Sequence, residues 1–559
     1  MALAAYLASW GGGALFVAVL ALWAAAQRCL DHLLGRPGLY LVRAVTPAAV
    51  VALAVLAPFA AVLPRFEVHA AALFGLAAAP PALEALSRLA VRVRLPRPLY
   101  PAAAAALAAA GWLGLTLAWP GAAAAAAAQL ARFGSVHLAR TVAEARPLLG
   151  GPAALVWPEV WGQYRTALAL GVAGLTVLAW RMVRERARPG QTLLLVWTLA
   201  MLAATVAQNR FGYYLDVVLA LLVGLLCSAV LGAGRGGPAG ERWGLRRAIR
   251  PAVAGVLAAA ALLPALGPVL EAARTQRAPP PEWRAALGWL RRATPEPFGD
   301  PGAYLARYRR PPVGERYPYP PGAYGVLAWW DYGYWIVRLG RRMPTANPTQ
   351  AGAVTAARFF TATGEAEALA VLDQAGARYV IANAELGLWP AEPGGLSGLF
   401  AQLAVWADQP LERYFEVYWE PAGPGGALER TILFYPDFYR ALAIRMLLGG
   451  GGPAAGDASW AIAWEERPGP EGEPIKVVTA ARRFPGWEEA RAFLDSRPAG
   501  ERWRPAGRDP RHPCVPLPAL EGLARVYPSA RTAGLPPVIV FERRPPAGPA
   551  SGADRAAPR

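Results

Sequence analysis

The first half of the chain is dominated by apolar runs of about 20 residues, the length that a helix needs to cross the hydrocarbon core of a membrane. Inside a membrane a segment must satisfy its own backbone polar groups, so each run is predicted to be a helix. Eight spans are predicted, at residues 2–27, 44–63, 69–87, 99–119, 164–180, 191–207, 213–231 and 251–270.

The second half of the chain has a different composition and holds most of the acids, prolines and tyrosines. Its segments RYVIAN, TILFY, KVVTA and PVIVF predict strands, and residues 364–376 and 487–496 predict helices. We therefore predict a polytopic α-helical membrane domain at 1–272, with a long loop at 120–163. A mixed α/β domain at 273–544 and a disordered tail at 545–559 follow it.

The charge pattern predicts which side of the membrane each part occupies. The net charge is +18, but the arginines of the first half lie in short loops rather than on one basic face, which argues against nucleic-acid binding. They concentrate in alternate loops, at 28–43, 88–97, 181–188 and 235–250, which marks the cytoplasmic side. Residue 1, the loop at 120–163 and the second half are therefore predicted to lie outside the cytoplasm.

The heptapeptide WWDYGYW at 329–335 follows the membrane region and breaks both helical and strand periodicity. An indole N–H only donates a hydrogen bond and a carboxylate only accepts one. Trp329, Trp330 and Asp331 could therefore bind one hydroxyl group between them. The alternative is an aromatic cluster in the core of a soluble domain. The three cysteines and four histidines show no metal-type spacing.

The string WWDYG resembles the signature of the catalytic subunit of oligosaccharyltransferase in its archaeal or bacterial single-subunit form. This resemblance implies a membrane domain of the GT-C type followed by an external domain. It also implies transfer of a glycan from a lipid-pyrophosphate carrier to Asn in Asn-X-Ser/Thr of an acceptor polypeptide. Trp329, Trp330 and Asp331 would bind the Ser or Thr hydroxyl. The eight predicted helices match the last eight of the family, so about five helices are expected to be missing.

Two further residues fit the resemblance on the membrane side. Glu144 ends the sequence TVAE, which resembles the loop motif whose glutamate reaches the metal and the acceptor, so Glu144 is the candidate catalytic acid. The alternative is a solvated loop glutamate. Arg210, in QNRFGYY, matches an arginine that binds the lipid pyrophosphate, and a guanidinium can fork onto phosphate oxygens. The alternative is an interfacial anchor beside two tyrosines.

In the second half, FYPDFYRALAIRML resembles a DxxK-type helix, with arginine in place of lysine. Asp437, Arg440 and Ile444 are predicted to share one helical face at i, i+3 and i+7 and to bind the acceptor sequon. Ile444 would contact the methyl group of an acceptor Thr. The alternative is an amphipathic core helix with a surface ion pair.

The resemblance implies Mg²⁺ or Mn²⁺ as cofactor, with Glu144 as one ligand. Residues 1–143 contain only three acids, Asp31, Glu67 and Glu84, and none fits the family's other ligand positions. The metal site is therefore expected to be incomplete, unless an upstream extension or a separate polypeptide supplies the missing helices. Residues 148–163 contain no arginine, so an acidic requirement two positions before the acceptor Asn is not supported.

Two alternative functions remain. One is a truncated or degenerate homologue that binds acceptor sequons without transferring a glycan. The other is a different multispanning glycosyltransferase that uses a lipid monophosphate sugar, which should show an acidic pair in its first external loop and has no need of WWDYG.

Overall fold

The computed structural model describes residues 1–10, 12–61, 63, 66–131, 143–149, 153–232, 243–275, 279–306, 317–391, 395–421, 428–469, 472–498, 501–528 and 537–545. The chain forms two compact units, Met1–Gln276 and Arg277–Arg559. Each unit is described by itself below.

The first unit is helical. Its helices are α1 (Ala2–Ser9), α2 (Ala14–Leu33), α3 (Leu39–Leu56), α4 (Phe66–Arg92), α5 (Tyr100–Ala118), α6 (Pro120–Ala131), α7 (Ala153–Arg184), α8 (Pro189–Ala207), α9 (Gly212–Gly232) and α10 (Trp243–Thr275). Among the described residues, eight helical segments are long and apolar enough to cross a membrane. Each of the eight predicted spans overlaps one of these segments.

The first predicted span, 2–27, is wrong in its extent. Helix α1 ends at Ser9, Trp10 has an extended backbone, and the membrane-length helix α2 begins only at Ala14. The residues between the two helices include Gly12 and Gly13, and glycine is a poor helix former. The apolar run therefore folds as a short helix and a separate long one.

A buried polar network ties α2 to α4 near the arginine-rich end of the membrane unit. Arg28 is 4% exposed and its Nε lies 3.0 Å from Glu84 Oε2. His32 Nδ1 lies 2.7 Å from Ser87 Oγ, which also accepts a hydrogen bond from Arg28. Buried charges of this kind need such partners, so the network fixes the contact between the two helices.

The second unit contains twelve named strands in its described residues. They are β1 (Gly325–Leu327), β2 (Met343–Pro344), β3 (Ala377–Asn383), β4 (Trp389–Ala391), β5 (Gly395–Ser397), β6 (Phe415–Pro421), β7 (Leu428–Phe434), β8 (Ser459–Pro468), β9 (Pro474–Phe484), β10 (Trp503–Ala506), β11 (Leu523–Tyr527) and β12 (Val538–Arg543). Helices α11 (Pro281–Ala293), α12 (Ala353–Thr361), α13 (Glu365–Gln374), α14 (Phe400–Trp406), α15 (Pro436–Arg440), α16 (Leu442–Leu447) and α17 (Trp487–Asp495) accompany them. The prediction of a mixed α/β region is confirmed.

The first sheet has the strand order β11-β12-β3-β1-β2, and β1 pairs in parallel with both β2 and β3. The central strand β3 is buried at every position except Arg378, as expected where both faces of a sheet are covered. The carboxyl ends of β1 and β3 therefore lie at the same edge of this sheet.

The second sheet has the order β10-β8-β9-β6-β7, and a cluster of charges on it centres on Glu416. Lys476 Nζ lies 2.6 Å from Glu416 Oε1, while Tyr435 donates to Oε2 at 2.6 Å and Arg504 Nη1 lies 3.2 Å from the same oxygen. Burial opposes ionisation, but the hydrogen bonds from Lys476 and Tyr435 and the nearby cations prevail and lower the pKa of Glu416. The carboxylate is thus held in its charged form.

Candidate functional site

The WWDYG motif lies immediately after the carboxyl end of β1. Trp329 is extended, the residues Trp330–Tyr332 form a 3₁₀ turn, and the chain then runs helically from Gly333 to Gly340. In open α/β sheets, ligands bind outside the carboxyl ends of parallel strands. The fold thus puts the motif where a binding site is expected.

The two tryptophans of the motif carry buried donors. Trp329 is 0% exposed and Trp330 is 9% exposed. Within the described residues neither indole N–H has a hydrogen-bond acceptor. A buried polar group without a partner costs about 1–3 kcal/mol, so such groups are rare and often mark functional positions. Asp331, between Trp330 and Tyr332, is exposed. Two donors and one acidic acceptor are thus adjacent in the chain, and hydroxyl binding by these three residues stays a prediction.

Packing fixes the position of the motif. The ring centroids of Trp329 and Trp406 lie 6.3 Å apart in an edge-to-face contact. At Gly333 an added Cβ atom would lie 2.5 Å from the carbonyl oxygen of Ala346 and 2.6 Å from Cα of Asn347. These are backbone atoms, which cannot move aside as a flexible side chain can. Glycine is therefore required at this position by close packing.

A buried arginine anchors the helical segment that follows the motif. Arg342 is 1% exposed and donates hydrogen bonds to the Thr294 hydroxyl at 2.9 Å and to the Thr294 carbonyl at 2.7 Å. It also forms an ion pair with Glu296 at 3.3 Å. Arg342 thereby fastens the segment to the residues that follow α11.

The single helix predicted for Asp437, Arg440 and Ile444 is wrong. Helix α15 ends at Arg440, Ala441 has an extended ψ of 135°, and α16 starts at Leu442, so the i, i+7 relation does not hold. The Leu442 N–H donates instead to the carbonyl of Ala362 at 3.0 Å, which satisfies the donor that the break releases. Ile444 is 0% exposed, so its predicted contact with an acceptor methyl would require it to become accessible.

Asp437 and Arg440 do lie together, and the structure adds a residue that sequence reasoning missed. Arg440 Nη1 is 3.5 Å from Asp437 Oδ1, whereas Arg413 Nε is only 2.8 Å from Asp437 Oδ2. Arg413 also donates to Gln409 and Thr363, at 2.9 and 3.2 Å. Asp437 is therefore oriented mainly by Arg413, and no local pattern around position 413 signals this contact.

In the membrane unit, the structure brings the segment that carries Glu144 to the turn that carries Arg210. Glu144 is exposed in the 3₁₀ turn Ala143–Ala145, and the Asn209 N–H donates to the Arg146 carbonyl at 2.8 Å. Arg210 is exposed in the turn Asn209–Phe211 at the end of α8. Thr141 of the predicted motif lies outside the described residues.

Aromatic side chains surround the same end of the membrane unit. Tyr214 lies 4.1 Å from Tyr213 and 5.7 Å from Trp10, measured between ring centroids. Such clusters are typical of the membrane–water interface. Arg188 lies at the opposite end of α8, as its N-cap residue. Arg210 thus occupies the aromatic end of the unit and not its arginine-rich end.

The described residues do not form a complete metal site. They contain no group of three or more His, Cys, Asp or Glu side chains that could hold a metal ion. Asp31 accepts a hydrogen bond from Tyr40 at 2.8 Å and Glu84 pairs with Arg28, so both acids are engaged near the arginine-rich end. Glu144 could supply one carboxylate, but in the described part of the chain no cluster of donors completes the site around it.

The sequence of the chain is similar to those of known archaeal proteins. Residues 281–387, which include the motif, match the AglB core domain family. The chain is 34% identical over 276 residues to dolichyl-phosphooligosaccharide-protein glycotransferase 3 of Archaeoglobus fulgidus, an alignment that covers 46% of this chain and 30% of the relative. It is 28% identical over 340 residues to dolichyl-monophosphooligosaccharide–protein glycotransferase AglB of Haloferax volcanii, covering 55% and 32%. The chain thus spans about a third of the length of these curated relatives.

Solved structures show the same fold. The archaeal oligosaccharyltransferase AglB from Archaeoglobus fulgidus, in complex with an inhibitory peptide and a dolichol-phosphate, aligns with a TM-score of 0.65 and 23% identity, over 97% of this chain and 66% of that one. An apo form of an Archaeoglobus fulgidus oligosaccharyltransferase aligns with a TM-score of 0.63 and 26% identity, over 84% and 57%. The chain is thus similar in sequence to archaeal AglB-type glycotransferases, and its residues 281–387 match the AglB core domain.

Proposed function

We propose that the chain is an oligosaccharyltransferase, which transfers a glycan from a lipid-linked carrier to Asn of Asn-X-Ser/Thr sequons in acceptor polypeptides. One observation carries the proposal: in the segment that matches the AglB core domain, two buried indole N–H donors have no acceptor among the described residues, and an exposed aspartate lies next to them. A Ser or Thr hydroxyl would accept a hydrogen bond from an indole and donate one to Asp331. An acceptor with Ala at this position would leave the donors unpaired. The site would therefore favour acceptors with Ser or Thr over those with Ala.

Each remaining site residue has a role in this proposal that its chemistry supports. Glu144 would accept hydrogen bonds from the acceptor amide, whose nitrogen is a poor nucleophile because its lone pair is delocalised. Arg210 would bind carrier phosphate oxygens in a forked geometry. The exposure of both side chains and their shared end of the membrane unit support these roles. Asp437 and Arg440 would contact the acceptor polypeptide.

The carrier is proposed to be a lipid pyrophosphate, whose leaving group needs stabilisation of developing negative charge. The Haloferax relative is named for a monophosphate carrier, so both carrier types belong in the test. Mg²⁺ or Mn²⁺ is the proposed cofactor and would supply positive charge at those oxygens. Glu144 would be one of its ligands, and hard divalent ions need several more oxygen ligands.

We also propose that the second unit faces the exterior of the cell membrane. The eight apolar helices make this a multi-pass membrane protein. The arginines at 28–43, 88–97 and 181–188 would lie in the cytoplasm by the positive-inside rule. Glu144, Arg210 and the second unit would then all face outward, where exported acceptor chains and the glycan of the carrier are found.

A transfer assay tests the proposal. The full chain in lipid bilayers would be mixed with lipid-linked oligosaccharide of either carrier type, Mn²⁺ or Mg²⁺, and a peptide containing Asn-X-Thr. Mass spectrometry should detect the glycopeptide, and Asp331→Ala should abolish its formation. Binding of the peptide without transfer under any condition would indicate a non-catalytic homologue. Transfer only in native membranes would indicate that a further polypeptide contributes.

A further inference from the structure

The hydroxyl of Tyr332, the fourth residue of the motif, is held by two residues at the end of a neighbouring strand. It donates a hydrogen bond to Glu385 Oε2 and accepts one from Asn383 Nδ2 at 3.0 Å. Asn383 Nδ2 also lies 3.2 Å from Glu385 Oε2. The three groups thus form a closed triangle of hydrogen bonds.

The topology of the sheet explains why these residues meet. The motif follows the carboxyl end of β1, while Asn383 ends β3 and Glu385 follows it. Strands β1 and β3 are parallel neighbours, with Leu327 opposite Val380. Residues that follow the two strands at this edge are therefore close in space. Tyr332 and Glu385 are in contact although 53 positions separate them in the sequence.

The tyrosine ring has little freedom to move away from its partners. Tyr332 is 5% exposed and its ring centroid lies 4.2 Å from that of Trp283. Burial, together with the neighbouring Glu385 carboxylate, raises the pKa of Tyr332, so the hydroxyl keeps its proton and remains a donor. Hydrogen bonds from a hydroxyl to a carboxylate are among the stronger ones in proteins.

We propose that Glu385 and Asn383 are positioning residues for the acceptor site: by holding the Tyr332 hydroxyl they fix the turn that presents Trp330 and Asp331. Tyr332 is the last residue of the 3₁₀ turn that starts at Trp330, so holding its hydroxyl fixes one end of that turn. This inference rests on the proposed function. It adds Glu385 and Asn383, two residues outside the WWDYG motif, to those that determine specificity for the acceptor hydroxyl.

The experiment compares Tyr332→Phe, Glu385→Ala and the double variant in the full chain. The readout is the ratio of affinities for two peptides that differ only in Thr or Ala at the hydroxyl position. Each single variant should lower this ratio about tenfold, as the loss of a hydrogen bond to a charged group would. The double variant should lower it no further, because each single change already removes the hydrogen bond between Tyr332 and Glu385. Glu385→Gln, which keeps an acceptor oxygen, should fall between Glu385→Ala and the parent.

Tyr418→Phe is the matched control, since Tyr418 is a fully buried phenol on the second sheet, 2.7 Å from the Tyr435 hydroxyl. It should leave the Thr-to-Ala ratio at the parent value even if it lowers stability. An unchanged ratio in Tyr332→Phe and Glu385→Ala, or independent and additive losses, would overturn the inference.

Hydrogen exchange provides a readout that needs no acceptor. Backbone amides of residues 329–335 should exchange faster in Tyr332→Phe and Glu385→Ala than in the parent or in Tyr418→Phe. If the parent itself does not distinguish Thr from Ala, the proposed function fails. The positioning role is then tested by the exchange data alone. Unchanged exchange of residues 329–335 in Tyr332→Phe and Glu385→Ala would refute it.

Discussion

Replacing Trp330 by Phe should cost far less stability than the same truncation at Trp389. Both tryptophans are buried, at 9% and 7% exposed. The Trp389 indole donates to the carbonyl of Ala384 at 2.6 Å, whereas the Trp330 indole has no acceptor within the described residues. The pair therefore separates the effect of the hydrogen bond from the effect of ring size.

The expected difference in the free energy of unfolding depends on whether each indole N–H has an acceptor. At both sites Phe leaves a similar void, so the packing loss is comparable. Trp389→Phe also leaves the Ala384 carbonyl without its donor, which costs about 1–3 kcal/mol. Trp330→Phe instead removes an unsatisfied buried donor and so relieves a penalty of about the same size. The free energy of unfolding of Trp330→Phe should thus exceed that of Trp389→Phe by at least about 1–3 kcal/mol.

Pulse proteolysis of the full chain in urea, following the fragment after residue 277, would measure this difference. Trp330→Phe should in addition lose discrimination between Thr and Ala acceptor peptides, although it remains well folded. Equal destabilisation by the two substitutions, or a larger loss for Trp330→Phe, would refute the claim that its donor lacks a partner in the free protein.

Three further predictions follow from other contacts. Gly333→Ala should destabilise the second unit by about 1–3 kcal/mol, the usual cost of overpacking, because its Cβ would meet backbone atoms. Gly364→Ala, with no atom within 4 Å of the added carbon, should change the midpoint of urea unfolding by much less; equal shifts would contradict the packing argument. Arg413→Gln should weaken acceptor binding by roughly three- to tenfold through misorientation of Asp437, with under about 1 kcal/mol lost in unfolding because the pair is partly exposed; unchanged affinity in a peptide titration would count against it. The folded-state pKa of Glu416 is lowered, so its contribution to stability is present above its unfolded pKa of about 4.3 and is lost as pH falls through the folded pKa. Between pH 7 and 3 the free energy of unfolding should therefore fall less in Glu416→Gln than in the parent. An equal fall in both proteins would exclude this role.

The membrane helices could be predicted closely because a span requires only a long apolar run. The exception is the first predicted span. Its apolar character continues through Trp10, but α1 ends at Ser9 and glycines separate it from α2. Strand β3 was also predicted, because RYVIAN is short and contains the strand-favouring residues Tyr, Val and Ile in its middle. The donors of Trp329 and Trp330 follow from residue type alone. Only the structure shows that both are buried and have no acceptor in the part of the chain that it describes.

Contacts that depend on chain pairing could not be predicted in the same way. Glu385 and Asn383 reach Tyr332 only because β1 and β3 are parallel neighbours, and a single sequence does not give strand order. Arg413 lies 24 residues from Asp437 and meets it through tertiary packing. The break at Ala441 has no proline or glycine to signal it, since the released Leu442 N–H finds its partner in Ala362, far away in the sequence.

The central claim is that Trp329, Trp330 and Asp331 read an acceptor hydroxyl. Its most direct test is the affinity of the full chain for two peptides that differ only in Thr or Ala two positions after Asn. The account predicts at least about tenfold tighter binding of the Thr peptide, corresponding to a hydrogen bond to a charged group. It also predicts that Asp331→Ala removes this preference. Equal affinity for the two peptides, or a preference that survives Asp331→Ala, would contradict it.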